Sequence, residues 1–234
     1  MRSWLAGRGV GVLTLMLALS PALHGVEFDE TKLALLRPRM QRFVDEQKIA
    51  GVVTVVGTAK GIISLEAIGS LRLDPKEPMM KDALFRIASM TKPITAAGIL
   101  ILADDGKLKV DDPVEKHLPE FRGQMLVRER GPDQLVLTKP PRPITLRDLL
   151  THTSGLSAYP PGLGDLYRKR DRSLAESILV VSQRPLEFEP GSRWSYSNSG
   201  IDTLGRVIEV VSGKDYETFL SKRIFTPLRM KDTT

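Results

Sequence analysis

The chain changes character at Pro93. Before it, the apolar runs are short and β-branched: Gly51-Val-Val-Thr-Val-Val-Gly57 and Ile62-Ile-Ser-Leu-Glu-Ala-Ile68, separated by Thr58-Ala-Lys-Gly61. β-Branched side chains suit a pleated backbone, so this pair predicts an antiparallel hairpin. After it, Ile94, Ala97, Ile101 and Leu102 have helical spacing, and Gly106 is a good terminator. Proline has no N–H to give the preceding turn, so a helix tolerates it only where that N–H would be unpaired anyway, in the first turn. Pro93 therefore pins the start of this helix and puts Ser89 at its N-terminal end. There the aligned peptide dipoles favour negative charge.

The remaining segments follow the same division. Thr31 to Lys48 is expected to be one helix, with Leu33, Leu36, Met40, Phe43 and Val44 on one face. Residues 107–143 are rich in loops, with a small hairpin expected from Met125-Leu-Val-Arg128 and Leu135-Val-Leu-Thr138 around Gly131-Pro-Asp133. Thr145 with Asp148 reads as a helix cap before Leu149-Leu150, and Ser173 with Glu176 as a capping box before Ile178-Leu-Val-Val181. Between them Tyr159-Pro-Pro-Gly-Leu-Gly164 reads as a loop. Two more helices are expected, from Ser199 to Val211 with Gly213 as terminator, and from Tyr216 to Lys222. The expected class is α+β, an antiparallel sheet flanked by helices, with residues 105–190 as a mostly helical subdomain.

At 234 residues, 41% hydrophobic and 26% charged, the chain has ordinary globular composition, with no low-complexity tract and no repeat. Its first residues stand apart. Arg2 and Arg8 precede Gly11-Val-Leu-Thr-Leu-Met-Leu-Ala-Leu19, followed by small residues near Ser20-Pro-Ala22. That is the form of a secretory signal peptide over residues 1–22, with cleavage between 22 and 25, and a domain over 29–234 remains. The run is short for a membrane span, so no stable span is expected after cleavage, and the expected location is periplasmic or secreted. The chain has no cysteine, hence no disulfide and no thiolate site. The formal net charge of +6 is spread along the chain except at Arg168-Lys-Arg-Asp-Arg172, which reads as a solvated face rather than an anion site. No nucleic-acid motif is present.

Chemistry concentrates in two places. Ser89-Met-Thr-Lys92 puts a hydroxyl and an amine one helical turn apart, on one face. A serine hydroxyl becomes a competent nucleophile when a base takes its proton, and a lysine kept neutral by its surroundings is such a base. Four residues are a short motif, and two unrelated polar residues in a first turn spell the same thing. The second place is Trp194-Ser-Tyr196-Ser-Asn198-Ser-Gly200, a loop at a helix start. Its tyrosine can relay a proton, and its asparagine can donate to a carbonyl and accept from an amide. Rival arrangements are poorly represented. There is no G-x-S-x-G and no H-E-x-x-H, and the only histidines are His24, His117 and His152. His152 reads as structural, and no metal site or cofactor is expected.

Taken together, these segments resemble the serine β-lactamase-related family, which includes class C β-lactamases, their carboxylesterase relatives and D-Ala-D-Ala carboxypeptidases. The resemblance rests on Phe85-Arg-Ile-Ala-Ser-Met-Thr-Lys92, Ile144-Thr-Leu-Arg-Asp-Leu-Leu-Thr-His-Thr-Ser-Gly-Leu156, Glu189-Pro-Gly-Ser192 leading into Tyr196-Ser-Asn198, and Pro227-Leu-Arg-Met-Lys-Asp-Thr-Thr234. It implies a β-lactamase/transpeptidase-like fold with Ser89 as acylated nucleophile, Lys92 as its proton acceptor, Tyr196 as the base that relays protons with Lys92, and Asn198 as a substrate contact. The implied substrate is a small ester, β-lactam or peptidoglycan-like molecule. Ser-Met-Thr-Lys resembles the esterase branch, so carboxylesterase ranks ahead of β-lactamase and D,D-peptidase. The family's third motif, a Lys-Thr-Gly-like triplet on a strand that also supplies an oxyanion N–H, lies beyond the segment matching Pro227–Thr234. The resemblance thus implies missing C-terminal sheet strands and a reading frame that continues past Thr234. A non-catalytic envelope protein is the reading from another class.

Overall fold

The computed structural model describes residues 29–132, 134–157 and 171–234. The signal-peptide segment, the Tyr159–Gly164 loop and most of the Arg168–Arg172 cluster lie outside the described residues. The chain divides into two compact units, Met1–Ala83 and Leu84–Thr234.

In the first unit Asp29 caps α1 (Glu30–Ala34), its carboxylate accepting the N–H groups of Thr31 and Lys32. The single helix expected over Thr31–Lys48 is instead two, α1 and α2 (Leu36–Asp45), joined at Leu35. Pro38 accounts for the break: it has no N–H to donate to the Ala34 carbonyl four residues back. The hairpin is present as β1 (Gly51–Thr58) and β2 (Gly61–Leu73), antiparallel, with Val53 opposite Ala67. β2 runs five residues past Ile68 and pairs with a strand that was not expected, β3 (Lys76–Pro78), giving the order β1-β2-β3. A bulge between Ser70 and Arg72 breaks the two-residue alternation there, which hides the extension from a periodicity reading.

In the second unit a 3₁₀ turn, Ala88–Met90, leads directly into α3 (Thr91–Asp104), with Pro93 in its first turn as expected. α4 (Val114–His117), the β4 (Leu126–Arg130) and β5 (Leu135–Thr138) hairpin, α5 (Leu146–Leu150) and α6 (Leu174–Ser182) follow. Both capping boxes form, Thr145 with Asp148 and Ser173 with Glu176. α7 (Asn198–Ser212) ends at Gly213, and α8 (Tyr216–Leu220) runs on into the wider turn Ser221–Phe225. The stretch 105–190 is mostly loop among the described residues rather than mostly helical. Its helices are short because prolines at 113, 119, 140, 141 and 143 interrupt it.

The core of this unit is built where α3 meets α7. A Cβ on Gly98 would lie 2.8 Å from Ile208 Cδ1, so glycine is what lets the two helices approach this closely. Ile99, Leu102, Leu146, Leu149, Leu204 and Ile208 are fully buried around that crossing. Each contributes roughly 2–3 kcal/mol of burial. The same crossing carries the start of α3 and the start of α7 into one neighbourhood. Among the described residues no helix is long and apolar enough to cross a membrane.

Candidate active site

The serine sits on strained backbone. Ala88, immediately before it, has φ of 45°, left-handed for a residue with a Cβ, a conformation that costs on the order of 1 kcal/mol or more. Ser89 is exposed at the mouth of α3, and Lys92 is half-buried one turn further on. Lys92 Nζ donates to Ser89 Oγ at 3.1 Å and to Asn198 Oδ1 at 2.7 Å. The Tyr196 hydroxyl donates to Ser89 Oγ at 2.6 Å, and Lys92 Nζ lies 4.6 Å from the centre of the Tyr196 ring. The four residues singled out by sequence therefore meet at one point, although more than 100 positions separate the two pairs.

Two loops are zipped together to bring Tyr196 and Asn198 there. α5 stops after Leu150, and His152 takes φ of 58°, turning the chain back as Thr151-His-Thr-Ser-Gly155. Along it runs the segment 187–197, joined by Glu187 N–H to Gly155 O at 2.8 Å, Gly191 N–H to Thr153 O at 2.8 Å and Ser195 N–H to His152 O at 2.9 Å. Ser197 then caps α7, its hydroxyl accepting Gly200 N–H at 3.1 Å, which makes Asn198 the first residue of the helix. Beneath the zipper, Arg142 grips the buried Asp148 with both arms, at 2.6 and 2.9 Å. Burial by itself would raise that carboxyl, but the bonds from Arg142 and Thr145 hold it below the usual carboxylate range.

Electrostatics favour proton traffic between Tyr196 and its neighbours. Hydrogen bonding with Lys92, then with Ser89, and the lysine's positive charge hold the Tyr196 phenol below the usual tyrosine range. The arrangement is that of a nucleophile in contact with two groups able to share its proton. Ser89, Lys92 and Asn198 line a cavity of about 830 Å³ together with Thr95, Asp202 and Tyr216. Among the described residues no group of three or more His, Asp or Glu side chains is placed to hold a metal ion.

Asp202 escaped the sequence reading. It lies one turn after Asn198 on α7, along the same cavity as Gly205 and Glu209, and polar neighbours at helical spacing (Asn198, Arg206 and Glu209) make it read as part of an ordinary solvated face. Burial pushes its carboxyl up to about 6, and the charge of Lys92 offsets only part of that rise. Because the folded value exceeds the unfolded one of about 3.9, the neutral acid favours folding at low pH, and that contribution is lost as pH rises through 6. Asp202→Asn is thus expected to equal the parent in stability near pH 4 and to exceed it near pH 8 by roughly 1–3 kcal/mol, several degrees in Tm. Thermal melts at the two pH values check this, and equal melting temperatures near pH 8 would rule it out.

The chain is similar to several known proteins. Esterase EstB of Burkholderia gladioli is 36% identical over 197 residues, covering 80% of this chain and 47% of that protein. The D-alanyl-D-alanine-carboxypeptidase/endopeptidase AmpH of Escherichia coli K12 is 36% identical over 155 residues, covering 65% of this chain and 37% of that one. Among solved structures, EstCE1, a hydrolase with promiscuous acyltransferase activity, superposes with a TM-score of 0.72 at 28% identity, covering 86% of this chain and 52% of its own. The chain spans about half the length, or less, of the curated relatives it matches. The family model described as Beta-lactamase matches residues 36–234, which takes in the strands, the serine turn and the Tyr-Ser-Asn loop alike, and the chain belongs to the beta-lactamase family.

Proposed function

We propose that this chain carries the nucleophile of an exported serine hydrolase that opens ester or amide bonds through an acyl-enzyme on Ser89, a carboxylesterase-like member of its family. The observation that carries this is Ser89 Oγ held at once by Lys92 Nζ at 3.1 Å and Tyr196 OH at 2.6 Å. For acylation the Tyr196–Lys92 pair must hold one proton fewer than its full complement. Ser89 Oγ then attacks the substrate carbonyl while its proton passes to the pair. As the carbon–oxygen or carbon–nitrogen bond to the leaving group breaks, that proton is returned to the leaving group. Water next releases the acyl group through the same acceptor. Asn198 keeps Lys92 directed at the serine through the 2.7 Å bond.

The esterase reading draws on the names of relatives such as EstB, with the D,D-peptidase reading second on the name of AmpH. A single covalent labelling event reads the nucleophile and its proton acceptors without requiring turnover. Mass spectrometry after incubation with a fluorophosphonate is expected to show one adduct, on Ser89, absent in Ser89→Ala. An unlabelled parent would favour a non-catalytic protein. A short-chain p-nitrophenyl ester and a cephalosporin then separate the substrate classes, and cleavage of the cephalosporin alone would sink the esterase assignment.

A further inference from the structure

His152 makes contacts that a loop-forming residue does not need. Its backbone carbonyl holds Ser195 N–H at 2.9 Å, and its ring Nδ1 accepts Ser197 N–H at 3.1 Å. Between these two anchors lies Tyr196, whose ring stacks on the imidazole with centroids 4.8 Å apart and planes 27° apart. Trp194 stands edge-on to the imidazole at 6.1 Å and lies 6.5 Å from the Tyr196 ring, so the three rings form one cluster. His152 thus holds the residue before Tyr196 through its carbonyl, and the residue after it and the face of Tyr196 itself through its imidazole. With Nδ1 accepting, a neutral ring carries its hydrogen on Nε2.

We propose that His152 is the positioning residue for Tyr196, holding its phenol on Ser89 only while the imidazole is neutral. The proposal rests on the reading of Ser89 and Tyr196 given above. Protonation would place an N–H on Nδ1 against the N–H of Ser197, donor against donor, and that bond would be lost. It would also set a second cation beside Lys92. The charged or titratable groups facing the ring are Lys92, from α3, and Tyr196, from the facing segment 187–197, while Asp148 of α5 is already taken by Arg142. Burial, then the charge of Lys92, holds the imidazole below the usual histidine range, so the neutral form prevails at neutral pH. A small displacement of a proton acceptor is enough to cost about 100-fold in rate.

Two variants divide the contacts. Asparagine tolerates the left-handed backbone, offers an oxygen near the position of Nδ1 and does not titrate. Phenylalanine keeps the ring and loses the acceptor. Fluorophosphonate labelling of Ser89 is the readout, followed from about pH 5 to about pH 8. The parent is expected to lose about tenfold or more in labelling rate towards acid. His152→Asn is expected to label within about fivefold of the parent near neutrality and to show a shallower acid loss, while His152→Phe is slower by about 10- to 100-fold at every pH. An unchanged acid limb in His152→Asn, or His152→Phe labelling like the parent, overturns the proposal. So does His152→Asn labelling as slowly as His152→Phe. Amide exchange at Ser197 in the parent reads the same bond without chemistry at Ser89. Protection that does not fall towards acid overturns the His152 role, whereas a parent that takes no label but shows that fall sinks only the reading of Ser89.

Discussion

Replacing Lys92 with methionine is expected to slow fluorophosphonate labelling of Ser89 by about 1,000-fold or more, with the fold intact. The ammonium is the group that touches both the serine oxygen and Asn198, at 3.1 and 2.7 Å, and methionine supplies neither donor nor proton acceptor. Its length is similar and the site is half-buried, so the expected change in melting temperature is small. Lys92→Arg sharpens the test. Arginine keeps the positive charge near Tyr196 but cannot give up its proton at any working pH. If charge alone activated Ser89, Lys92→Arg would label almost as fast as the parent. Rates for both variants, measured with circular dichroism as a control for folding, decide between the two roles. Labelling of Lys92→Met within tenfold of the parent would exclude Lys92 as a proton acceptor.

Gly155→Ala is expected to damage the fold and the site together. Gly155 has φ of 82°, and a Cβ there would lie 2.3 Å from the carbonyl oxygen of Phe188. Neither partner has a flexible end to move aside, because the collision is with backbone. Left-handed strain and overpacking together cost on the order of 3–4 kcal/mol, a fall of roughly 6–15 °C in Tm for a domain of this size. The same collision pushes apart the zipper that ends at Ser195 and Ser197, so Tyr196 moves off Ser89. Labelling, assayed well below the melting transition, is expected to drop more than tenfold. A parent-like melting temperature would show that the two loops are not locked as described. A lowered one with parent-like labelling would show that the zipper does not position Tyr196.

Much of the local structure was legible in residue types. Pro93 set the start of α3, the two capping boxes set the starts of α5 and α6, and Gly106 and Gly213 marked the ends of α3 and α7. Each of these signals acts within four residues, so no tertiary context is needed to read it. The extension of β2 and the pairing of β3 were not legible, because a bulge breaks the periodicity that reveals a strand. The break at Leu35 was written in Pro38, but a strong apolar stripe across it favoured one helix.

By itself the sequence determined which groups could do the chemistry: a hydroxyl and an amine one turn apart at the start of α3, and a phenol and an amide two residues apart at the start of α7. Their spacing along the chain follows from covalent geometry and backbone sterics, which are local. Only the tertiary structure decided that the two pairs meet, since that depends on the Gly98 crossing of α3 with α7 and on the zipper from Gly155 to Ser197. Tertiary structure also decided the states of the groups. Burial drives Asp202 towards its neutral form against the charge of Lys92, hydrogen bonding with Lys92 and Ser89 draws Tyr196 towards its ionised form, and burial together with Lys92 keeps His152 neutral, Lys92 being distant in sequence from all three. Protonation responds to the surrounding dielectric and charge, and those exist only once the chain has folded.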